Sequence, residues 1–425
     1  MTRPLPSRPN VTQLKHQAKD LLRAQRNGEA SACGVLRRLR RFEGADDGNV
    51  LAADVALHEA QYALAMEYGF PSWNALAEHI ADSVPTKVRD VCRTDGGTVI
   101  GGIEKVRWGG KGVRENSALA ALGAALNVIG DPISYEELMG FSGAAFRLQV
   151  AQPQWCPSAP CAPCGFDCLE HILTVLGCRF ERVWMHDRDP AIIEKTRPAV
   201  IASLDAGRPV LAMSEESALI VGYRGDGTFL VRPFAPRQEG YVPMERWPWE
   251  TLIITPPDGP GERRAMAITS LRTAVALATT PAFEGYAAGF AAYAIWAEQL
   301  EDDARFEGLD GDNWWGVAHA NGYMYGSLYD CRLAAEKYLR IIVDDLPEIA
   351  RPHAIAAANA YEQIHRTQGR ERPGLACAWS LMPWHLKSLA NWTPDVRATQ
   401  ATVLREMAGT EREAIGHIQA ALAAV

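Results

Sequence analysis

ALIVGYRGDGTFLVRP, residues 218–233, reads as two short strands around a tight turn. Both flanks are apolar and β-branched, and Arg224-Gly225-Asp226-Gly227 between them supplies residues that tolerate the positive φ of a hairpin loop. Outward from this hairpin, further strands are expected at 179–185, 209–213 and 252–255, and helices at about 115–128, 169–176 and 191–204. Gly130 and Gly177 stand where two of these helices should stop. Ser134 and Glu137 have capping-box spacing. Helices first and strands later predict an α+β domain over 99–255.

Helical regions are expected on both sides. In 1–82, Asn10 and Gln13 cap a helix whose apolar face is Leu14, Ala18, Leu21 and Leu22. A second helix runs through Leu51, Val55 and Leu64 to Gly69, and Ser72 caps a third that buries Trp73, Leu76 and Ile80. The basic run Arg37, Arg38, Arg40, Arg41 reads as a solvated helix face. Residues 83–98 and 256–264 read as linkers. In the C-terminal region 265–425, helices are expected at 265–278, 282–303, 314–343, 348–367 and 395–422. Phe290, Tyr293 and Trp296 have core spacing there.

The 425 residues are 48% apolar, with a net charge of −8 and nine cysteines. Two to four domains follow as the expectation. The negative charge argues against nucleic acid as a partner. No apolar run is long enough to span a membrane, and the polar start lacks the apolar core of a secretory signal. A cytoplasmic protein with reduced cysteines is the expectation, and a homo-oligomer is compatible with it.

Two resemblances add to this reading. LPSRPNVTQLKHQAKDLLRA (5–24) and EYGFPSWNALAEHI (67–80) resemble a small helical module that fronts many bacterial proteins, some with ankyrin repeats. That implies an accessory or interaction role. The order helix, long loop, then ALIVGYRGDGTFLVRP resembles the papain-like superfamily: the peptidases that process bacteriocin leaders and, more closely, the butirosin-biosynthesis acyltransferase. WGGKGVRENSALAALGAALN (108–127) and MGFSGAAFRLQVAQPQWCPS (139–158) also resemble an uncharacterised bacterial subgroup of that superfamily. The resemblance implies a central papain-like domain. In such domains a Cys opens the first helix, a His precedes the strand matched by Ala218–Tyr223, and an Asp follows the next strand. This chain departs at all three places, with Arg114-Glu115-Asn116-Ser117, Ser217 and Arg232-Pro233. Without thiol and imidazole there, the superfamily's ordinary mechanism does not carry over.

The remaining chemistry concentrates in C-x4-C-x2-C-x3-C-x2-H: Cys156, Cys161, Cys164, Cys168 and His171. Three readings stand open. Cys168 is a relocated nucleophile at a helix start, assisted by His171, Glu115 or Glu216. Alternatively, zinc binds through Cys156, Cys161, Cys164 and Cys168, although a single C-x2-C lacks the usual second pair. Otherwise the stretch is a structural loop or holds a disulfide. Glu115 and Glu216 stand near the superfamily's active-site positions, where a carboxylate acts as base or holds a cation. Asn116, Ser217, Asp167 and Tyr223 are candidate substrate contacts. The functional expectation is acyl or amide transfer, or thiol chemistry, on a small molecule or an acyl carrier, with no cofactor required. The alternatives are a non-catalytic binding protein and a metal-binding protein with zinc as the cofactor.

Overall fold

The computed structural model describes residues 11–77, 90–94, 96–103, 116–130, 132–185, 187–214, 216–233, 240–257, 259, 261–368 and 380–425. Asn10, Ile80, Arg114 and Glu115 lie outside these. The chain forms two compact units, Met1–Val88 and Arg89–Val425. Among the described residues no helix is long and apolar enough to cross a membrane.

The first unit contains α1 (Val11–Arg26), α2 (Ser31–Leu36), α3 (Asp47–Ala52), α4 (Leu57–Glu67) and α5 (residues 73–77). Leu14, Ala18, Leu22, Leu36, Val50, Leu64 and Leu76 form its core. One helix was expected through Leu51 and Leu64, and the structure divides it. Ala53 is extended, and Glu59 reaches back to accept the Ala56 N–H at 3.0 Å, which starts a new helix. Ser72 caps α5 through the Ala75 N–H at 3.0 Å. Within the basic run, Arg37 pairs with Asp47, Arg38 with Glu67 and Arg41 with Glu59. Three of those cations are thus matched by carboxylates of the same unit.

The second unit mixes α and β with antiparallel pairing throughout its sheets and ends in helices. In chain order it contains β1 (Val91–Thr94), β2 (Gly97–Ile100), α6 (Ser117–Ile129), α7 (Tyr135–Phe141), β3 (Gln149–Ala151), α8 (Cys168–Val175) and β4 (Arg179–Trp184). There follow α9 (Pro190–Asp205), β5 (Val210–Met213), β6 (Ala218–Tyr223), β7 (Phe229–Arg232), β8 (Val242–Pro243) and β9 (Glu250–Thr255). The rest is α10 (Arg263–Thr279), β10 (Ala282–Phe283), β11 (Tyr286–Ala288), α11 (Gly289–Glu301), α12 (Gly311–Ile342), α13 (Arg351–Gln368), α14 (Pro383–Leu386) and α15 (Pro394–Ala423). β1 and β2 occupy the end of the polar stretch 83–98.

The main sheet runs β1-β2-β6-β5-β9-β4, with β7 on β6 and β8 on β7. β6 is its hub. At Gly222 a Cβ would meet Thr98 O at 2.5 Å, so only glycine lets β2 lie against β6 there. The 218–233 hairpin forms as read, with Tyr223 opposite Phe229. Helix α6 packs on β5 and β6. It ends at Gly130 with φ +97°, and α7 starts with the Ser134–Glu137 capping box.

A second sheet, β10-β11-β3, was not anticipated. The expected helix 282–303 begins only at Gly289, because Glu284 (φ +46°) and Gly285 (φ +85°) make a two-residue hairpin loop ahead of it. One continuous core joins this region to the α+β segment. Leu122 and Ile220 belong to it together with Trp296, Tyr338 and Leu404.

Candidate functional site

The start of α6 meets the start of β6. Asn116 caps α6 by accepting the Leu119 N–H at 3.1 Å. This leaves Ser117 as the first helical residue, facing Ser217. The Ser217 N–H donates to Ser117 Oγ at 3.3 Å, and the two hydroxyl oxygens are 3.4 Å apart. Ser217 is buried, and its own hydroxyl points to Met213 Sδ at 3.1 Å. Glu216 is exposed, yet the protein around its carboxyl desolvates it and pushes its pKa up, opposed by a hydrogen bond from Ser117. Ser117 has one proton to give, and an ionised Glu216 is a better acceptor than a hydroxyl at 3.4 Å.

This junction is anchored from below. The Tyr135 hydroxyl donates to Asp330 Oδ2 at 2.6 Å and accepts the Asn116 N–H at 3.1 Å. Asp330 lies on α12, so a C-terminal helix fixes the residue before Ser117.

The cysteine-rich loop is built around a buried guanidinium. Arg147 Nη2 donates to Pro160 O at 2.6 Å and Cys161 O at 2.8 Å. Its Nη1 donates to Phe166 O at 2.8 Å and Cys164 O at 3.1 Å. Gln149 adds a bond from Nε2 to Cys164 O at 2.9 Å and accepts the Phe166 N–H at 2.9 Å. Cys156, Cys161 and Cys164 are free and partly buried. Burial, then Cys164, then Glu216 and Cys156 push the Cys161 thiol up to about 12 against the opposing pull of Arg147. Burial also raises Cys164, while Arg147 and a hydrogen bond from Tyr286 lower it.

Cys168 does open α8, as expected, but it is fully buried and its thiol is pushed up to about 11, chiefly by burial. The amides that favour a thiolate there are engaged elsewhere. Asp167 Oδ1 accepts Leu169 N–H at 3.0 Å and Glu170 N–H at 2.9 Å. Asp167 is also ion-paired with Arg182, which bridges to the fully buried Glu250. Asp167 is therefore a cap and a structural ion partner. His171 points away to α10, with Nε2 3.2 Å from Thr273 Oγ1 and Phe166 against its ring. Thr273 gives its proton to Thr269 O at 3.0 Å, so His171 Nε2 is the donor in that contact. Burial lowers the His171 pKa. These surroundings run against the expectation of Cys168 as a relocated nucleophile: the thiol is sealed and largely protonated near neutral pH.

Tyr223 lies at the far end of β6, five residues and roughly 17 Å along the strand from Ala218. Its hydroxyl donates to Asp205 at 2.9 Å. It is not brought to Ser217. Arg232, at the third position marked by the resemblance, donates to Gly240 O at 3.2 Å and lies over Tyr241. Among the described residues no three His, Cys, Asp or Glu side chains gather as metal ligands would. Cys168 is in the core, whereas Cys156, Cys161 and Cys164 stay near the surface, so the expected zinc set is not assembled.

Arg147, Tyr135 and Asp330 were missed as organisers of the site. The sequence contains no local signal for them, because their partners are loop carbonyls or lie 195 residues away. No family model matches the chain, and no curated protein matches it.

Proposed function

We propose that residues 89–425 carry a papain-like domain whose former catalytic cleft now binds a small cationic molecule without covalent catalysis. The observation that carries this reading is the meeting of Ser117 and Ser217 at the α6–β6 junction. The resemblance puts a thiol at the opening of the first helix, within 114–117, and an imidazole at Ser217, and the two residues that meet here are both hydroxyl-bearing. Neither hydroxyl supplies the thiolate–imidazole pair of the superfamily, and the Glu216 carboxylate that Ser117 bonds is a weaker base than imidazole. Glu216 is an exposed charged group at the junction and offers its carboxylate to a cation. The sealed state of Cys168 supports the same reading, since it leaves no reactive thiolate at that helix start.

Two measurements test this. Calorimetric titration with a panel of aliphatic mono- and polyamines is expected to find a binder whose affinity falls at least tenfold in Glu216→Gln. A cation prefers the ionised carboxylate, and the Glu216 pKa is raised. Binding therefore releases protons, and affinity grows as pH rises through that pKa, then levels. The double variant Ser117→Cys/Ser217→His restores the superfamily's pair. It is expected to gain rapid alkylation by iodoacetamide that persists below neutral pH, as an imidazole-paired thiolate does. If the introduced thiol reacts no faster than exposed Cys92, the papain-like reading fails. Ester or amide turnover abolished by Ser117→Ala would overturn the non-catalytic reading.

A further inference from the structure

We infer that Cys161 and Cys164 are a built site of reversible oxidation, closing to an intraloop disulfide by exchange with a low-molecular-weight disulfide. The inference does not rest on the ligand-binding reading, because thiol chemistry alone reads it out.

The geometry comes from the backbone. Cys164 N–H donates to Cys161 O at 3.2 Å, so the two residues are the ends of a hydrogen-bonded turn. Such a turn holds its end Cα atoms within about 7 Å of each other. A disulfide needs Cα atoms about 4.4–6.8 Å apart. The turn is fixed in that state rather than visiting it. One guanidinium, Arg147, holds the carbonyls of both cysteines, at 2.8 Å and 3.1 Å, and Gln149 Nε2 holds that of Cys164. Arg147 is itself buried, and its own carbonyl accepts from Arg332 at 3.2 Å. Closing the bridge therefore asks for side-chain rotation and little backbone movement. Both thiols are free and only partly buried, so a small disulfide reaches them. Cys92, Cys168 and Cys331 belong to other elements, and Cys178 lies between α8 and β4. Cys156 is the competing partner, and it stands outside the turn.

The two thiols have distinct roles. Burial raises both thiols and Arg147 opposes it at both, but only Cys164 also receives a hydrogen bond from Tyr286 that favours its thiolate, while Cys161 is pushed up to about 12. Cys164 is therefore the attacking thiol. Its sulfur displaces one thiolate from the small disulfide RSSR and forms the mixed disulfide. The Cys161 sulfur then attacks the Cys164 sulfur and expels the second RS⁻. The two protons lost by the cysteines end on two RSH. The pair is oxidised, RSSR is reduced, and excess RSH reverses both steps.

The test uses the full chain equilibrated in glutathione buffers from reduced to oxidised. Samples are acid-quenched, denatured, alkylated with iodoacetamide and mapped by mass spectrometry. The expected product in oxidised buffer has lost two hydrogens, takes label at Cys156, Cys168 and Cys178, and leaves Cys161 and Cys164 unlabelled until reduced. Cys161→Ser is expected to keep one glutathionyl group on Cys164, because the resolving thiol is gone. Full alkylation of both cysteines in the wild-type chain in the most oxidised buffer overturns the inference. A bridge that maps to Cys156 overturns it as well.

Discussion

Helices α6 and α8 begin alike and end up chemically opposite. Each has a side-chain cap, Asn116 or Asp167, and each places a small polar residue first, Ser117 or Cys168. Each helix start offers N–H groups that favour an anion, a contribution of about 0.3–1 kcal/mol, rising to roughly 2 in partly buried sites. At α8 that gain is overwhelmed. Raising a thiol from its ordinary value to about 11 disfavours the thiolate by roughly 3 kcal/mol. At α6 the first residue instead meets β6 beside an exposed carboxylate. The lesson is that a nucleophile-like position in a helix is not a nucleophilic environment, because desolvation decides between them.

The largest test of that contrast is Arg182→Met. The start of α8 is held by a charge network in which Arg182 joins Asp167 to Glu250, and Glu250 is fully buried. Removing the cation deprives a buried carboxylate of its counter-charge, and a loss of about 3–5 kcal/mol is expected. Urea unfolding of the full chain measures it. At the α6 start the direct holds among the described residues are the Asn116 side chain and the Tyr135 hydroxyl, with the Asp330 carboxylate one hydrogen bond behind, so a smaller single-charge dependence is expected there. A change below about 1 kcal/mol would mean that the α8 start is not organised by charge.

Thiol reactivity sharpens the comparison next. With its thiol held near 11 and no exposed surface, native Cys168 should alkylate at least a hundredfold more slowly than exposed Cys92 near neutral pH. The two rates should converge once the chain is unfolded in urea. Mass-resolved iodoacetamide kinetics reads both residues in one sample. Comparable native rates would return Cys168 to contention as a nucleophile.

Much of the local structure was legible because it is written in local signals. Gly130, the Ser134–Glu137 box and the turn at 224–227 each act within a few residues, and each appears where expected. The same locality explains the misses. Glu59 starts a helix inside what reads as one continuous apolar face, and Glu284-Gly285 turns a helix-compatible stretch into a hairpin. The candidate site was legible in position only. The stretch 114–117 and Ser217 were marked through resemblance, and the structure brings Ser117, the last residue of that stretch, to Ser217. What decides their chemistry was not legible. Cys168 looks like an accessible helix start in Asp-Cys-Leu-Glu-His, and only packing buries it, chiefly against residues outside α8, with Cys331 of α12 close enough to feel it electrostatically. Arg147 looks like an ordinary cation because backbone carbonyls, its actual partners, have no residue code.

The smallest expected effect tests whether the two helix starts are independent. The Tyr135 hydroxyl links Asp330 of α12 to the N–H of Asn116, at 2.6 Å and 3.1 Å. Tyr135→Phe keeps the ring and removes both bonds, so stability should fall by about 1–3 kcal/mol. A purely structural loss would stop there. If α12 positions the α6 start, the substitution should also alter alkylation of a Ser117→Cys thiol severalfold while leaving the native protection of Cys168 unchanged, because Asp167 and Arg182 hold α8 without Tyr135. Measuring both rates in one Tyr135→Phe/Ser117→Cys chain makes the comparison internal. Parallel shifts at the two sulfurs would mean that one cooperative unit opens at both places, and the distinction between an open and a sealed helix start would then reflect a shared opening rather than two local environments.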